Sequence, residues 1–288
     1  MSETRRRYLA AMGVQTWELR RPLSGLAGQD SPPAQVTSAV SGEATEAVAP
    51  AAAANSPTVP SGHSVQGASS GKEGLAEQDG QEWQRLPADE RAARIGQLNW
   101  DGLQAEVSGC TACGLHATRT QAVFGVGDRQ ASWLIIGEAP GAEEDRQGEP
   151  FVGRAGKLLD AMLLAIGLQR EQVFIANILK CRPPSNRDPL PEEARCCRPF
   201  LERQMALIKP RIILAVGRIA AQNLLQTDTP MGKLRGRVYR VAGIPLVVTY
   251  HPAYLLRSPR EKRKAWEDLL LARHTLASDP GSPASMPR

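Results

Sequence analysis

The sequence predicts an α/β protein in which helices cover both faces of a central, mainly parallel sheet of four strands. Two observations lead to this prediction. Apolar runs of strand length alternate with amphipathic stretches of helical length over the second half of the chain, which is typical of parallel sheets because a crossover helix must return the chain to the same end of the sheet. In addition, polar residues directly follow several of the strands, at the edge where such sheets bind ligands.

The four predicted strands are apolar runs bounded by glycine or by polar residues. They are SWLIIG (132–137), QVFIANILK (172–180), RIILAVG (211–217) and IPLVVTY (244–250). Runs of this length without alternation of polar residues are typical of strands buried on both faces. A hairpin is expected around Gly236 and Gly243, just before the fourth strand.

Helical patterns follow the first three strands. The segment 153–167 is amphipathic and closed by Gly167, the segment 191–208 begins with a proline, and the segment 218–226 follows the third strand directly. Proline at the first position and glycine after the last position are common boundaries of helices.

The composition divides the chain into four parts. We expect an interaction peptide at 1–22, a disordered tether rich in Ala, Gly, Ser and Pro at 23–80, a globular domain at 81–276 and a disordered tail at 277–288. The tether has too few apolar residues to offset the entropy that folding would cost.

Charge and hydropathy narrow the class of protein. The net charge of +5 permits an anionic partner, and no segment approaches the roughly 18 apolar residues that a membrane helix needs. The N-terminus has no apolar core of the kind found in signal peptides, so we expect a cytoplasmic protein. We also expect this protein to be a monomer. Cysteines in that compartment are reduced and often bind metals or act in catalysis.

The five cysteines have a spacing that can form a metal centre. Cys110 and Cys113 form a CxxC motif, Cys181 follows the second strand, and Cys196 and Cys197 lie on the second helix. Four thiolates can hold zinc or a [4Fe–4S] cluster, and spacing alone does not choose between them. Only one of Cys196 and Cys197 can face such a centre, since neighbouring helical positions point about 100° apart. The alternative is two unrelated pairs of buried thiols.

The segment GEAPGAEEDRQGEPFVGRAG after the first strand is a second candidate site. It lacks the GK[ST] of a phosphate-binding loop, and Glu143, Glu144 and Asp145 would repel phosphate. Backbone amides and a carboxylate beside Phe151 suit a flat, neutral ligand that forms hydrogen bonds. A solvated acidic loop and a core role for Phe151 are the alternatives.

Two further residues stand where strands end. Asn177 lies near the end of an apolar strand, where an unpaired amide is costly to bury. It can cap a neighbouring loop, or it can read the donor and acceptor edge of a nucleic-acid base. His251 follows the fourth strand and precedes Pro252; by itself it could be structural, but its place at the same edge favours a functional role.

Together these motifs resemble the family 4 uracil-DNA glycosylases. The segments CTAC, GEAPGAEED, EPFVG, NILKCRPPSNRDPLPEEARCC and HPAYLLRSP follow the family order across residues 105–272. The resemblance implies a three-layer α/β/α fold and an iron–sulfur cofactor, a [4Fe–4S] cluster on Cys110, Cys113, Cys181 and Cys197. It also implies a uracil pocket formed by Glu138, Ala139, Glu144, Phe151, Asn177 and His251.

The resemblance implies hydrolysis of the N-glycosidic bond of uracil in single- or double-stranded DNA, with an abasic site as product. Phe151 would stack on the flipped base, and Asn177 would read its amide edge. His251 would stabilise the negative charge on the leaving base, and Glu138 is the candidate for activating water. Glu144 is the candidate for excluding the methyl group of thymine.

The segment after His251 is expected to form a loop, with Pro252 fixing its turn, and to contact the duplex. Leu255 or Leu256 would wedge into the space that the flipped base leaves, and Arg257 would contact a phosphate.

The N-terminal peptide RRRYLAAMGVQTWELRRP resembles the N-terminus of the psi subunit of DNA polymerase III. The resemblance implies a contact with the clamp loader or another replisome component, with Trp17 as anchor. An unrelated amphipathic peptide is the alternative. The whole chain has two alternative functions: a non-catalytic replisome adaptor, against which an intact pocket argues, and an iron–sulfur electron carrier, which nothing in the sequence favours.

Overall fold

The computed structural model describes residues 88–278. The predicted interaction peptide (1–22) and tether (23–80) lie outside these residues, as do positions 279–288 of the predicted tail. These boundaries therefore stay predictions.

A six-stranded sheet forms the centre of the part of the chain that the structure describes. Its strands are β1 (Val126–Gly127), β2 (Trp133–Gly137), β3 (Phe174–Asn177), β4 (Ile212–Val216), β5 (Val238–Val241) and β6 (Ile244–Thr249). The order across the sheet is β1-β3-β2-β4-β6-β5. The four inner strands run parallel, whereas β1 and β5 pair antiparallel at the two edges.

The inner strands are the four that the sequence predicts, and the edges extend the expected four-stranded sheet to six. β1 has only two residues, which is too short to give a periodic pattern. β5 pairs with β6 through a hairpin whose turn contains Gly243, while Gly236 precedes β5.

Nine α-helices surround the sheet in the described range. They are α1 (Ala88–Ile95), α2 (Trp100–Ser108), α3 (Ala142–Gln147), α4 (Arg154–Ala165), α5 (Pro191–Ile208), α6 (Arg218–Leu225), α7 (Met231–Leu234), α8 (Pro252–Arg257) and α9 (Lys262–Ala277). None of the helices within residues 88–278 combines the length and the apolar character that crossing a membrane requires.

Two apolar cores lie on the two faces of the sheet. Ile135 and Leu214 point to the face that α4 and α9 cover. Their neighbours along the same strands, such as Ile136 and Ile213, point to the face that α5 and α6 cover. This alternation, with every strand residue buried on β2, β3 and β4, produces a three-layer α/β/α arrangement.

A third core joins the two N-terminal helices to the rest of the domain. It contains Ile95 of α1, Leu103 and Val107 of α2, Phe200 of α5, and Cys110 in the segment that follows α2. Because Cys110 belongs to this core, α1 and α2 hold the CxxC motif against α5.

Polar groups gather where the four inner strands end. The inner strands are mostly apolar, and in parallel sheets ligands bind beyond the carboxyl ends of the strands. Glu138 follows β2, Asn177 ends β3, Arg218 comes two residues after β4, and His251 comes two residues after β6. The sheet therefore brings residues from distant parts of the chain to one edge.

Candidate active site

A cavity of about 780 Å³ opens at the carboxyl edge of the sheet. Every residue of the predicted uracil pocket lines it, together with Arg257: Glu138, Ala139, Glu144, Phe151, Asn177 and His251. The structure thus brings the predicted pocket residues together around a single space, large enough for a nucleotide-sized ligand.

Asn177 carries the most unusual environment in this cavity. Asn177 is 2 % exposed, and neither its Nδ2 nor its Oδ1 atom has a hydrogen-bond partner among residues 88–278. Leaving a buried amide unpaired costs free energy, so such groups are rare unless a ligand or water completes them. Asn177 is therefore the strongest candidate for direct ligand recognition.

Gly137 makes room for the amide and for the ring above it. A Cβ atom at this glycine would lie 2.5 Å from Asn177 Oδ1 and 2.6 Å from the ring of Phe151. Real Cβ atoms do not approach other atoms so closely, so a side chain at this position would displace Asn177 or Phe151.

Phe151 is held in an unfavourable backbone conformation. Its φ of 55° is uncommon for a residue with a side chain. The Arg170 guanidinium donates to the carbonyl oxygens of Pro150 and Phe151, and it also pairs with Asp160 at 3.0 Å. Conformational strain of this kind persists where the surroundings enforce it and is often found at functional sites.

Glu144 also supports this loop, through hydrogen bonds to its backbone. Its Oε1 atom accepts hydrogen bonds from the backbone N–H groups of Val152 at 3.0 Å and Gly153 at 3.1 Å. The carboxylate of Glu144 therefore shapes the loop that carries Phe151, in addition to lining the cavity.

His251 is placed as a neutral hydrogen-bond donor. Its ring stacks against Phe151 with centroids 5.6 Å apart, and its Nδ1 atom accepts from the N–H of Ala253 at 3.2 Å. The pKa of the imidazole is lowered to about 4, chiefly by burial and further by Arg257, against the raising effect of Glu144. With Nδ1 used as an acceptor, the proton of the neutral ring resides on Nε2.

Glu138 is a carboxyl group with an altered affinity for protons. Its pKa is raised to about 7, first by burial and second by Asp188, against the lowering effect of Arg218. Asp188 and Arg218 form an ion pair of 2.6 Å at the wall of the cavity. A carboxyl with a pKa near neutrality is suited to acid–base chemistry.

Asp188 and Arg218 are two residues of the site that the sequence did not indicate. Arg218 comes two residues after β4, as His251 comes two residues after β6. That shared position was the signal that could have found Arg218. Asp188 lies in an irregular segment. Its role depends on its contact with Arg218, which is 30 residues further along the chain, and the spacing of residues does not reveal such a contact.

The segment after His251 differs from the expected loop. It forms α8, so that Leu255 and Leu256 point in different directions. Leu255 is 1 % exposed in the core and cannot enter a duplex, which corrects one of the two wedge candidates. Leu256 and Tyr254 are 39 % and 37 % exposed. Arg257 is exposed and lines the cavity.

The cysteines lie behind the pocket, around a small cavity of their own. All five line it, and none forms a disulfide: Cys110, Cys113, Cys181, Cys196 and Cys197. Cys197 is buried while Cys196 is only half-buried. Within residues 88–278, no three histidine, cysteine or carboxylate side chains are positioned to hold a metal ion.

The chemistry of this set of donors fits an iron–sulfur cluster. The predicted ligands Cys110, Cys113, Cys181 and Cys197 come from three separate segments and adjoin one cavity. Burial raises the pKa of the Cys113 thiol to about 11 and that of the Cys197 thiol to about 12. Such thiols would ionise readily only beside a positive centre such as iron.

Hydrogen-bond donors also face these sulfur atoms. Arg119 Nη1 donates to Cys181 Sγ at 2.9 Å, and Arg91 Nη2 lies 3.7 Å from Cys110 Sγ. The N–H of Ala112 points to the same Cys110 sulfur at 3.5 Å. Hydrogen bonds to ligand sulfurs are one of the means by which proteins stabilise iron–sulfur clusters.

Comparison with known proteins identifies the class to which this fold and cavity belong. Residues 124–270 match the model of the uracil DNA glycosylase superfamily, and the chain belongs to this superfamily and, within it, to the type-4 enzymes. The type-4 uracil-DNA glycosylase of Archaeoglobus fulgidus is 46 % identical over 176 residues, which cover 58 % of this chain and 88 % of that protein.

Two further relatives carry the same name. The type-4 uracil-DNA glycosylase of Pyrobaculum aerophilum is 43 % identical, covering 57 % of this chain and 88 % of that protein. That of Thermotoga maritima is 44 % identical, covering 53 % and 80 % respectively. The resemblance to the family 4 enzymes and the predicted α/β fold are thereby confirmed, while the resemblance of residues 1–22 to the psi subunit stays a prediction.

Replacement of Glu144 by alanine tests its role in shaping the pocket. The N–H groups of Val152 and Gly153 would lose their acceptor, and a charge-assisted hydrogen bond contributes about 1.5–3 kcal/mol. We expect amide hydrogen exchange at these two positions to accelerate by about tenfold or more in Glu144→Ala. Glu143→Ala is the matched control, since Glu143 bonds only to Arg146 and Gln147 on its own helix. Equal exchange in both variants would contradict the role.

Proposed function

We propose that this protein removes uracil from DNA by hydrolysing the N-glycosidic bond, which leaves an abasic site for base excision repair. The observation that carries the proposal is the buried, unpaired amide of Asn177 in a cavity that also holds an aromatic ring and a neutral histidine. The type-4 uracil-DNA glycosylases that match the chain support the same activity.

Recognition would require the nucleotide to leave the base stack. Extrusion of a base from a duplex costs a few kcal/mol, and stacking on an aromatic ring recovers about 1–3 kcal/mol. Phe151 would provide this ring, and Tyr250 and Tyr254 also line the cavity. Asn177 Nδ2 would donate to uracil O4, and Oδ1 would accept from N3–H. Cytosine presents the opposite pattern at these two positions, so it would leave the amide mismatched.

Bond cleavage places negative charge on the leaving base and positive charge on the sugar. The Nε2–H of His251 would donate to uracil O2 and stabilise the first charge. The ionised Glu138 carboxylate would stabilise the second, or accept a proton from the attacking water. Glu144 and Ala139 complete the lining, with Glu144 as the candidate for excluding the methyl group of thymine.

Contacts outside the pocket would hold the DNA. Leu256 is the leucine that α8 exposes, and we propose it as the wedge that fills the space of the flipped base. Arg257 stands beside it at the mouth of the cavity, where a guanidinium can bond to a phosphate. The substrate would be uracil-containing DNA, single- or double-stranded, bound by a monomer.

We propose a [4Fe–4S] cluster on Cys110, Cys113, Cys181 and Cys197. The three segments that carry these cysteines converge on one cavity. When bound, the cluster would cross-link these segments behind the pocket. The residues of the chain itself would bind and orient the substrate.

A non-catalytic adaptor is disfavoured. A protein that only bound DNA would not need a raised carboxyl pKa at Glu138, a neutral histidine and an unpaired amide around the same cavity. The combination is what a hydrolytic site requires.

Replacement of Asn177 by alanine tests the proposed function. The two hydrogen bonds lost to uracil would each be worth about 1–3 kcal/mol, so we expect single-turnover excision to slow by about a hundredfold or more. Asn223→Ala is the matched control, because Asn223 bonds to a carbonyl within α6 and does not line the cavity. A folded Asn177→Ala protein that excises uracil at the wild-type rate would refute the proposed pocket.

The pH dependence of excision tests the role of Glu138. If its ionised form is required, kcat/KM rises with pH and levels off above about 7, the pKa of this carboxyl. Because the pKa of His251 is lowered to about 4, the imidazole stays neutral throughout and adds no inflection near its ordinary pKa. Glu138→Gln should lower the rate by about 10²–10⁴ and remove the inflection. The same inflection in Glu138→Gln would assign it to another group.

For residues 1–22, which lie outside the described range, we propose the contact with a clamp-loader or other replisome component that the resemblance to the psi subunit implies. Trp17 is the proposed anchor. A pull-down with purified clamp-loader subunits should recover the full chain and lose it when residues 1–22 are removed. Equal recovery of the truncated chain would end this proposal.

A further inference from the structure

Lys180 occupies an unusual place between the pocket and the cysteines. It follows β3 by three residues, directly precedes Cys181, and lines the cavity of the cysteines. Its side chain is 1 % exposed and is among the largest fully buried side chains of the described residues. Lysine is rarely buried to this degree, because its amino group loses its hydration.

The amino group of Lys180 has two partners, and both are neutral. Its Nζ atom donates to the backbone carbonyl of Asn177 at 3.0 Å and to Oε1 of Gln204 at 2.7 Å. Gln204 is itself fully buried on α5 and donates to the carbonyl of Phe124 at 2.8 Å. The side chain of Lys180 therefore connects the main chain of Asn177 to Gln204 in the interior of the domain.

The backbone of Lys180 is fixed as well. Its carbonyl accepts from the N–H of Val123 at 2.7 Å. A lysine whose main chain and side chain are both hydrogen-bonded in this way is a rigid support. Packing alone does not explain it, since a methionine would fill the same space without burying an amino group.

The strand end that Lys180 supports is bonded to the end of β2, where Gly137 and Glu138 lie. The N–H groups of Ile178 and Leu179 donate to the carbonyls of Gly137 and Glu138, each at 3.0 Å. The turn from Asn177 to Lys180 is thus bonded to β2 on one side and closed by the Lys180 amino group on the other.

We propose that Lys180 is a positioning residue for uracil recognition. Its amino group holds the main chain of Asn177, so that the unpaired amide stands at a fixed place in the pocket. Its anchor is Gln204 on α5, the helix that also carries Cys197. The cysteine centre thereby contributes to recognition of the base through Lys180. This inference rests on the proposed function of the pocket.

A double-mutant cycle tests the proposal on the full-length, iron-loaded protein. Wild type, Lys180→Met, Asn177→Ala and the double variant are compared by single-turnover excision of uracil. We expect Lys180→Met to reduce kcat/KM by about tenfold or more. In the Asn177→Ala background the same change should cost less than about twofold, because the residue that Lys180 positions is already absent. Equal losses in both backgrounds, or no loss in either, would overturn the proposal.

Two readouts do not depend on activity. Amide exchange at Ile178 and Leu179 should accelerate about tenfold in Lys180→Met, since the turn loses its closing hydrogen bond; unchanged exchange would overturn the proposal. Iron content should equal that of wild type, because Lys180 is not a ligand; loss of iron would assign Lys180 to the cysteine centre instead. If wild type excises no uracil while the exchange changes as expected, the proposed function fails and the structural role of Lys180 stands.

Two additional variants make the outcome unambiguous. Lys209→Met removes an exposed lysine at the end of α5 and should leave excision, exchange and iron content unchanged. Gln204→Met removes the second partner of the Lys180 amino group and serves if Lys180→Met does not fold. It should lower kcat/KM by about threefold with wild-type Asn177 and have no effect in Asn177→Ala; an additive effect would contradict the proposal.

Discussion

The constraint on which the rest of this structure depends is the burial of a polar amide without a partner at Asn177. An amide that no protein group pairs is costly to bury, and a ligand that bonds to both amide atoms offsets this cost. The neighbours of Asn177 preserve this state. Gly137 leaves space beside the amide, and the strained backbone of Phe151 presents the ring next to it. Selectivity then follows from the pattern of donors and acceptors on the base.

The surroundings of the pocket are built from contacts between distant parts of the chain. Arg170 and Glu144 both hold the Phe151 loop: Arg170 donates to a carbonyl oxygen of the loop, and Glu144 accepts from its N–H groups. The pair of Asp188 and Arg218 adjusts the affinity of Glu138 for protons. These supports fix positions before the substrate arrives, which is the main way in which a protein stabilises developing charge.

Much of this could be predicted from the sequence, and the reason is physical. The four inner strands are buried on both faces, so they appear as continuous apolar runs, and the polar residues at their ends mark the edge of the sheet. The wedge segment was harder to predict. Pro252 suggested a loop, yet proline is also favoured at the first position of a helix, and α8 buries Leu255 while exposing Leu256.

Other features depend on tertiary contacts and leave no local pattern. The ion pair of Asp188 and Arg218 spans 30 residues, and the burial of Lys180 becomes evident only when α5 packs against the end of β3. Nothing in the spacing of these residues distinguishes them from ordinary surface charges. Lys180 connects the lining of the cysteine cavity to the end of β3, and Asp188 and Arg218 line the pocket.

A structure with free uracil bound tests the account most directly. We expect uracil to stack on Phe151, with its O4 atom about 2.7–3.2 Å from Asn177 Nδ2, its N3 atom at a similar distance from Oδ1, and its O2 atom facing His251. Uracil bound elsewhere, or bound in this cavity with the Asn177 amide still unpaired, would contradict the account.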